Sequence, residues 1–96
     1  MPKEIPLLSV NTSPDGMEVS IHADAEGLKL LATEIERLRN GLEENQCEHA
    51  HFFSDAWGGD ELSEVMLDSE KSESRRQARH VKLYAWTTEW KGRHGL

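Results

Sequence analysis

Four of the five histidines lie in segments with the alternating pattern of β-strands, and imidazole is the side chain here best suited to metal chemistry. They are His22, His49, His51 and His80. Residues two apart on a strand point to the same face, so His49 and His51 point the same way. A zinc ion usually takes four ligands, and two histidines are too few. A metal site would need His22 or His80 from a neighbouring strand.

Cys47 is the single cysteine, two residues before His49 on the same predicted strand face. A catalytic cysteine needs a nearby base and a lowered thiol pKa. His49 is close enough to serve as the base, but no feature of the sequence would lower the pKa of the Cys47 thiol. An isolated cysteine is more often a small packing side chain. It also excludes an internal disulfide and indicates a reducing compartment. We therefore expect a cytoplasmic protein with no catalytic residue and no cofactor.

Aromatic side chains follow the same alternation as the histidines. Tyr84 and Trp86 share the face of His80, and Trp57 stands beside a paired glycine. Aromatic residues are frequent at the energetic centres of protein interfaces. We therefore predict a partner-binding surface, and the alternative is a solvated face with Trp57 folded over the sheet edge. The predicted binding residues are His49, His51, Trp57, Asp60, Tyr84 and Trp86.

The spacing of apolar residues predicts an α+β fold with the element order β-β-α-β-β-β in one small domain, residues 1–96. Leucines and an isoleucine recur at three- and four-residue steps from Leu28 to Leu42, which predicts a helix that Asp24 caps. Strands are predicted at 5–10, 17–22, 47–53, 61–68 and 79–87. The connection at 69–77 is polar and is expected to be mobile, and residues 88–96 are expected to form a tail, with docking of Trp90 onto the body as the alternative.

One helix is expected to cover one face of a mostly antiparallel sheet of four to five strands. Its apolar stripe would pack on Val19, Ile21, Ala50, Phe52, Val65, Leu83 and Ala85. In such a single sheet, the opposite face would carry His22 together with the other three strand histidines.

Charge is distributed unevenly along the chain. Residues 1–70 hold 16 acidic and 4 basic side chains, a net −12, and residues 71–96 carry a net +5, which gives −7 overall. An acidic body repels a phosphate backbone, so we expect no nucleic acid as partner. No apolar run reaches the ~18 residues that a membrane span needs, so we expect no membrane. An acidic surface attracts basic proteins.

Four short segments resemble the immunity protein 32 family of bacterial polymorphic toxin systems. They are residues 22–28, 49–52, 57–62 and 80–84. Ala25 stands where this resemblance leads us to expect a proline. The resemblance, which spans roughly residues 17–86, implies an α+β protein that protects a cell by binding a cognate toxin.

Three functions are therefore open at the level of sequence. The first is an immunity protein that occludes the active site or substrate groove of a toxin that is itself basic. The second is a small metal-binding protein that uses His22, His49, His51 and His80. The third is a homodimeric subunit that associates through its sheet and has no catalytic role.

Overall fold

The computed structural model describes residues 6–96 as two antiparallel sheets with a long helix and two short helices. The elements are β1 (Leu8–Thr12), β2 (Val19–Ala23), α1 (Ala25–Gly41), β3 (Cys47–Phe53), α2 (Asp68–Ser72), β4 (Arg76–Gln77), β5 (His80–Trp86) and α3 (Thr88–Arg93). The predicted α+β class is confirmed, and the strands follow the predicted order around α1. Ile5, where the first strand was predicted to begin, lies outside the described residues.

The first sheet has the strand order β2-β1-β4. β1 and β2 form an antiparallel hairpin, with Val10 opposite Ile21. Its turn uses Gly16 at φ 75°, a conformation that glycine adopts without strain. β4 pairs with the other edge of β1 next to Asn11 and Thr12.

The start of α1 is tied to β1 through Asp24. One carboxylate oxygen of Asp24 accepts hydrogen bonds from the Gly27 N–H at 2.8 Å and the Leu7 N–H at 3.1 Å. The Asp24 N–H donates in turn to the Leu7 carbonyl oxygen at 3.1 Å. Gly27 packs so closely against Leu7 that a β-carbon there would overlap this carbonyl. The predicted cap therefore also fixes the helix against the sheet.

The second sheet consists of β3 and β5, with Ala50 opposite Leu83. Its inner face and α1 enclose a small core together with the apolar side of β1. The buried apolar residues are Leu8, Val10, Leu38, Ala50, Phe52 and Leu62.

Two expectations about the sheet are wrong. The strands form two sheets rather than one, and residues 61–68 do not form a strand. That segment crosses β1 instead, where the Ser63 N–H donates to the Leu8 carbonyl and the Ser9 hydroxyl donates to the Val65 carbonyl at 2.6 Å. The Ser9 side chain thus makes a hydrogen bond that the backbone would make in a sheet. β4 pairs with β1 further along, at Asn11 and Thr12.

The division into two sheets also changes the packing. Val19, Ile21 and Val65 were expected under the helix, but they are 58%, 55% and 56% exposed because the first sheet is only partly covered. The connection predicted at 69–77 contains α2 and β4, and the tail predicted at 88–96 contains α3. Within residues 6–96, no helix combines the length and the apolar character that crossing a membrane requires.

Candidate functional site: an aromatic face on two strands

The pairing of β3 with β5 gathers the predicted binding residues on one side of the second sheet. Cys47 lies opposite Trp86, His49 opposite Tyr84, and Phe53 opposite His80. Because side chains alternate along each strand, every second residue points away from the core. We call this surface the aromatic face, and its eight residues are Cys47, His49, His51, Phe53, His80, Lys82, Tyr84 and Trp86.

The rings on the aromatic face form a continuous series of contacts. His80 stacks on Phe53 with ring centroids 4.2 Å apart and planes 14° apart. The series continues through His51 and His49, whose centroids are 5.0 Å apart, and His49 lies 6.0 Å from Tyr84. Tyr84 is 6.5 Å from Trp86. All these separations are within the range of, or close to, favourable aromatic pairs.

His51 and His80 share a hydrogen bond. Nδ1 of His51 lies 2.8 Å from Nε2 of His80. The ring centroids are 5.1 Å apart. This distance is close to the sum of the nitrogen–nitrogen distance and the radii of the two rings. The two nitrogens therefore point at each other. Lone pairs in this arrangement hold one proton between them and do not converge on a metal ion. The pair requires at least one neutral ring, because two imidazolium rings are both donors.

The surroundings of His51 disfavour its charged form. Partial removal from water lowers the pKa of His51, and the positive charge of His49, His80 and Lys82 lowers it further. Lys82 lies directly opposite His51 in the register. The aromatic face therefore resists protonation at its centre.

Most of the predicted binding residues meet on this surface. His49, His51, Tyr84 and Trp86 are all on it, and Trp57 reaches its end, 6.0 Å from the ring of His80. Trp57 is 60% exposed, so it does not fold away against the sheet edge. Asp60 is exposed in the loop beyond Trp57, where its N–H donates to Glu61 Oε2, and it makes none of the ring contacts.

Trp90 of α3 and His94, the residue that follows this helix, extend the surface beyond the predicted set. The ring of His94 is 5.2 Å from Trp86 and 4.6 Å from Trp90. The Arg93 guanidinium lies 5.9 Å from the Trp90 ring. The i, i+4 spacing of Trp90 and His94 is the sequence signal for a shared helix face, but six residues of helix were not recognised in a polar tail.

His22 lies elsewhere, so the expectation of four histidines on one face is wrong. It is on β2 in the first sheet, where its Nε2 donates to Glu70 Oε2 at 3.0 Å. Alternation alone could not reveal that β2 and β3 belong to different sheets. In the part of the chain that the structure describes, no three His, Cys, Asp or Glu side chains are arranged to hold a metal ion.

His22 belongs to a second cluster, which we call the polar network: Asn11, Glu18, Ser20, His22, Glu70 and Arg75. Arg75 is at its centre with a side chain 4% exposed. Its guanidinium donates to Asn11 at 2.5 Å, Glu18 at 2.8 Å and Ser20 at 3.0 Å. The hydrogen bond from His22, and next the bond from the Leu67 N–H, lower the pKa of Glu70 to about 2.

A groove of about 380 Å³ runs between α1 and the outer edge of β3. Arg37 spans it and donates to the His49 carbonyl at 3.3 Å, while Glu34 pairs with Arg37 at 2.9 Å. Glu61 closes the other end, where its carboxylate accepts from the Phe53 N–H. Side chains therefore occupy the β3 edge, which leaves the aromatic face as the more open surface.

The family model described as Immunity protein 32 matches residues 18–74, more than half of the chain. The chain belongs to this family, and the resemblance noted from its short segments is confirmed. The match ends before β4, so Tyr84 and Trp86 lie outside it. No curated protein matches the chain, and no solved structure does.

Proposed function

We propose that the protein binds a cognate toxin through the aromatic face and neutralises it by covering its active site or substrate groove. The observation that carries the proposal is the continuous series of ring contacts on β3 and β5, in which His49, His51 and Tyr84 are exposed, in a chain of a family named for immunity. Rigid rings offer a large contact area at a small cost in side-chain entropy.

The aromatic face contributes little to the core, which supports a role in binding. The opposite side of the same strands supplies the buried residues Ala50 and Phe52. Tyr84 is 50% exposed, and its ring contacts are with His49 and Trp86 on the same surface. A row of exposed and half-buried rings on the side of a sheet away from the core is typical of an interaction surface.

Charge supports a basic toxin as partner. None of the eight residues of the aromatic face is acidic, and the acidic side chains are concentrated in residues 1–70. The acidic body would attract a basic protein at long range, and the rings would form the contact. We infer a non-catalytic protein without a cofactor, which acts without nucleic acid or membrane. The single cysteine fits a reducing cytoplasm.

Growth rescue tests this function. Toxin domains encoded beside this chain's gene are expressed in a sensitive host, with and without the protein. We expect one toxin whose killing the protein prevents. A double variant, Tyr84→Ser with Trp86→Ser, should lose this protection while it remains folded.

The matched control for that variant is Met17→Ser with Leu67→Ser, which removes two exposed apolar side chains outside the aromatic face. It should protect as well as the wild type. Equal protection by the face variant would contradict the proposed surface, and killing in the presence of the wild type by every neighbouring toxin would contradict the proposed function.

A further inference from the structure

Within residues 6–96, β5 has one edge that no other strand covers. Two backbone hydrogen bonds just beyond the ends of the strand pair show which residues of β5 bond to β3. They run from the Ser54 N–H to the Arg79 carbonyl and from the Thr87 N–H to the Gln46 carbonyl. Residues 81, 83 and 85 therefore turn their backbone groups toward β3. The backbone groups of the other strand residues point outward, and these residues are His80, Lys82, Tyr84 and Trp86. In the described chain, no strand pairs with this side of β5.

Lys82 is the one feature of this edge that usually protects a free strand. Exposed edges are normally interrupted by proline, a bulge or several charges. β5 runs for seven residues with the sequence HVKLYAW, in which Lys82 is the sole residue with a permanent charge. A sheet of two strands is marginal by itself and needs either further strands or packing against a helix; here α1 packs on β3.

The inner side of β5 is also incompletely covered. Val81, Leu83 and Ala85 are only partly buried, whereas Ala50 and Phe52 on the paired strand are buried. The Cα radius of gyration is 15.5 Å, against about 12.5 Å for a compact domain of this length. Another strand beside β5 would therefore cover apolar surface that the fold leaves partly exposed.

We propose that β5 pairs antiparallel with β5 of a second copy, with the two-fold axis at Leu83, to form a four-stranded sheet. In this register Lys82 faces the partner's Tyr84, and His80 faces the partner's Trp86. Both pairs place a cation or a polar ring against an aromatic ring, which is favourable across strands. The four outward residues of each strand would supply on the order of eight backbone hydrogen bonds.

Other registers fit less well. An axis at Lys82 would set two lysines directly opposite each other, which is destabilising. An axis at Tyr84 would place His80 beyond the end of the paired strand. The axis at Leu83 pairs all seven residues of β5 and gives each lysine an aromatic neighbour.

The dimer does not rest on toxin binding, because its hydrogen bonds come from the backbone edge of β5, although its side-chain pairs include Tyr84 and Trp86 of the aromatic face. Pairing two copies would place two aromatic faces side by side on one sheet. The mass in solution is measured without a toxin, so a failure of toxin neutralisation and a failure of dimerisation are observed separately.

The mass in solution tests the dimer. Sedimentation equilibrium over about 10 µM to about 1 mM protein should show a shift from 10.9 kDa toward twice that mass. Lys82→Pro removes an outward N–H that the ladder with β3 does not use, and it should raise the dissociation constant about tenfold or more. A wild type that stays at 10.9 kDa throughout would overturn the proposal.

Ile21→Pro is the matched control. The bonds that flank the hairpin show that Ile21 turns its N–H away from β1, on the free edge of the other sheet. This variant should dimerise like the wild type. Loss of the dimer in Ile21→Pro, with retention in Lys82→Pro, would assign the interface to β2 and refute the β5 pairing.

A cross-link tests the register. In a Cys47→Ala background, Leu83→Cys would place two thiols on the two-fold axis in a close, non-hydrogen-bonded pair. Oxidised glutathione should convert this variant to a covalent dimer. Val81→Cys faces the partner's Ala85 and should cross-link far more slowly; equal rates for the two variants would contradict the register.

Discussion

The polar network of the first sheet and the aromatic face of the second sheet each bring histidine together with charged or aromatic groups. In the polar network, α2 covers the cluster, and Arg75 and Glu70 are buried with their hydrogen bonds directed to other residues of the chain. On the aromatic face, the rings contact one another and leave their outer side open. One cluster is closed by the fold and the other is available to a partner.

This difference separates stability from binding. Buried charges must be paired and hydrogen-bonded, so Arg75 and Glu70 have a sufficient structural reason to be where they are. No comparable structural requirement explains the positions of the Tyr84 and Trp86 rings. Their position on an exposed face is explained better by a contact outside the chain.

The largest effect is expected from Arg75→Ala. It would leave Oδ1 of the buried Asn11 without its donor and the buried Glu70 carboxylate without the adjacent cation, and it should lower the free energy of unfolding by about 3–5 kcal/mol. Urea denaturation followed by circular dichroism measures this change. Arg76→Ala, at an exposed neighbouring position, should change stability by less than about 0.5 kcal/mol. Similar losses in both variants would show that the polar network does not set stability.

The second effect should appear in binding and leave stability nearly unchanged. Tyr84→Ala is expected to weaken toxin binding by about 2 kcal/mol, because it removes a ring from the middle of the face. Titration calorimetry with the toxin that the protein neutralises measures the change, with Leu67→Ala as a control of similar exposure. If Tyr84→Ala binds the toxin like the wild type, the aromatic face is not the binding surface, and its contrast with the polar network would fail.

The third effect is a loss of stability in acid that arises from the polar network. The pKa of Glu70 is lowered to about 2 from 4.5, so the unfolded chain binds a proton more readily than the folded one. Stability from this group is complete above pH 4.5 and is lost as pH falls toward 2. Glu70→Gln should flatten the dependence of the unfolding midpoint on pH in that window. An unchanged slope would contradict the role of this carboxylate.

The smallest effect is expected on the aromatic face. The pKa of His51 is lowered, so the folded state disfavours its protonation. Stability is therefore retained above about pH 6.5 and declines as pH falls below that value. His51→Gln should remove this shallow decline and keep the steeper one due to Glu70. Urea midpoints between pH 7 and 5 test it, and an identical slope in both proteins would exclude His51 as its source.

The local elements were predictable because they depend on periodicity along the chain. The spacing from Leu28 to Leu42 predicted α1, and the Asp24 cap is confirmed at 2.8 Å from Gly27. Alternation predicted β3 and β5 within a residue of their ends. The same alternation placed His49, His51, Tyr84 and Trp86 on one side of the sheet, and the register confirms it.

The division into two sheets was not predictable, because alternation defines the faces of a strand and not its neighbours. Ser9 and Asn11 are completely buried although they are polar, since the segment 61–67 and α2 cover that side of β1. β4 has two residues, which is too short for any pattern. Burial of Arg75 likewise depends on contacts across more than 50 residues of chain.

The hydrogen bond between His51 and His80 also makes the aromatic face observable by spectroscopy. A proton held between two imidazole nitrogens 2.8 Å apart should resonate downfield of ordinary ring protons in an NMR spectrum. Its exchange with water should slow when another molecule covers the rings, and its signal should disappear when both rings are charged. The molecule thus carries a built-in reporter of whether this surface is covered, with no label attached.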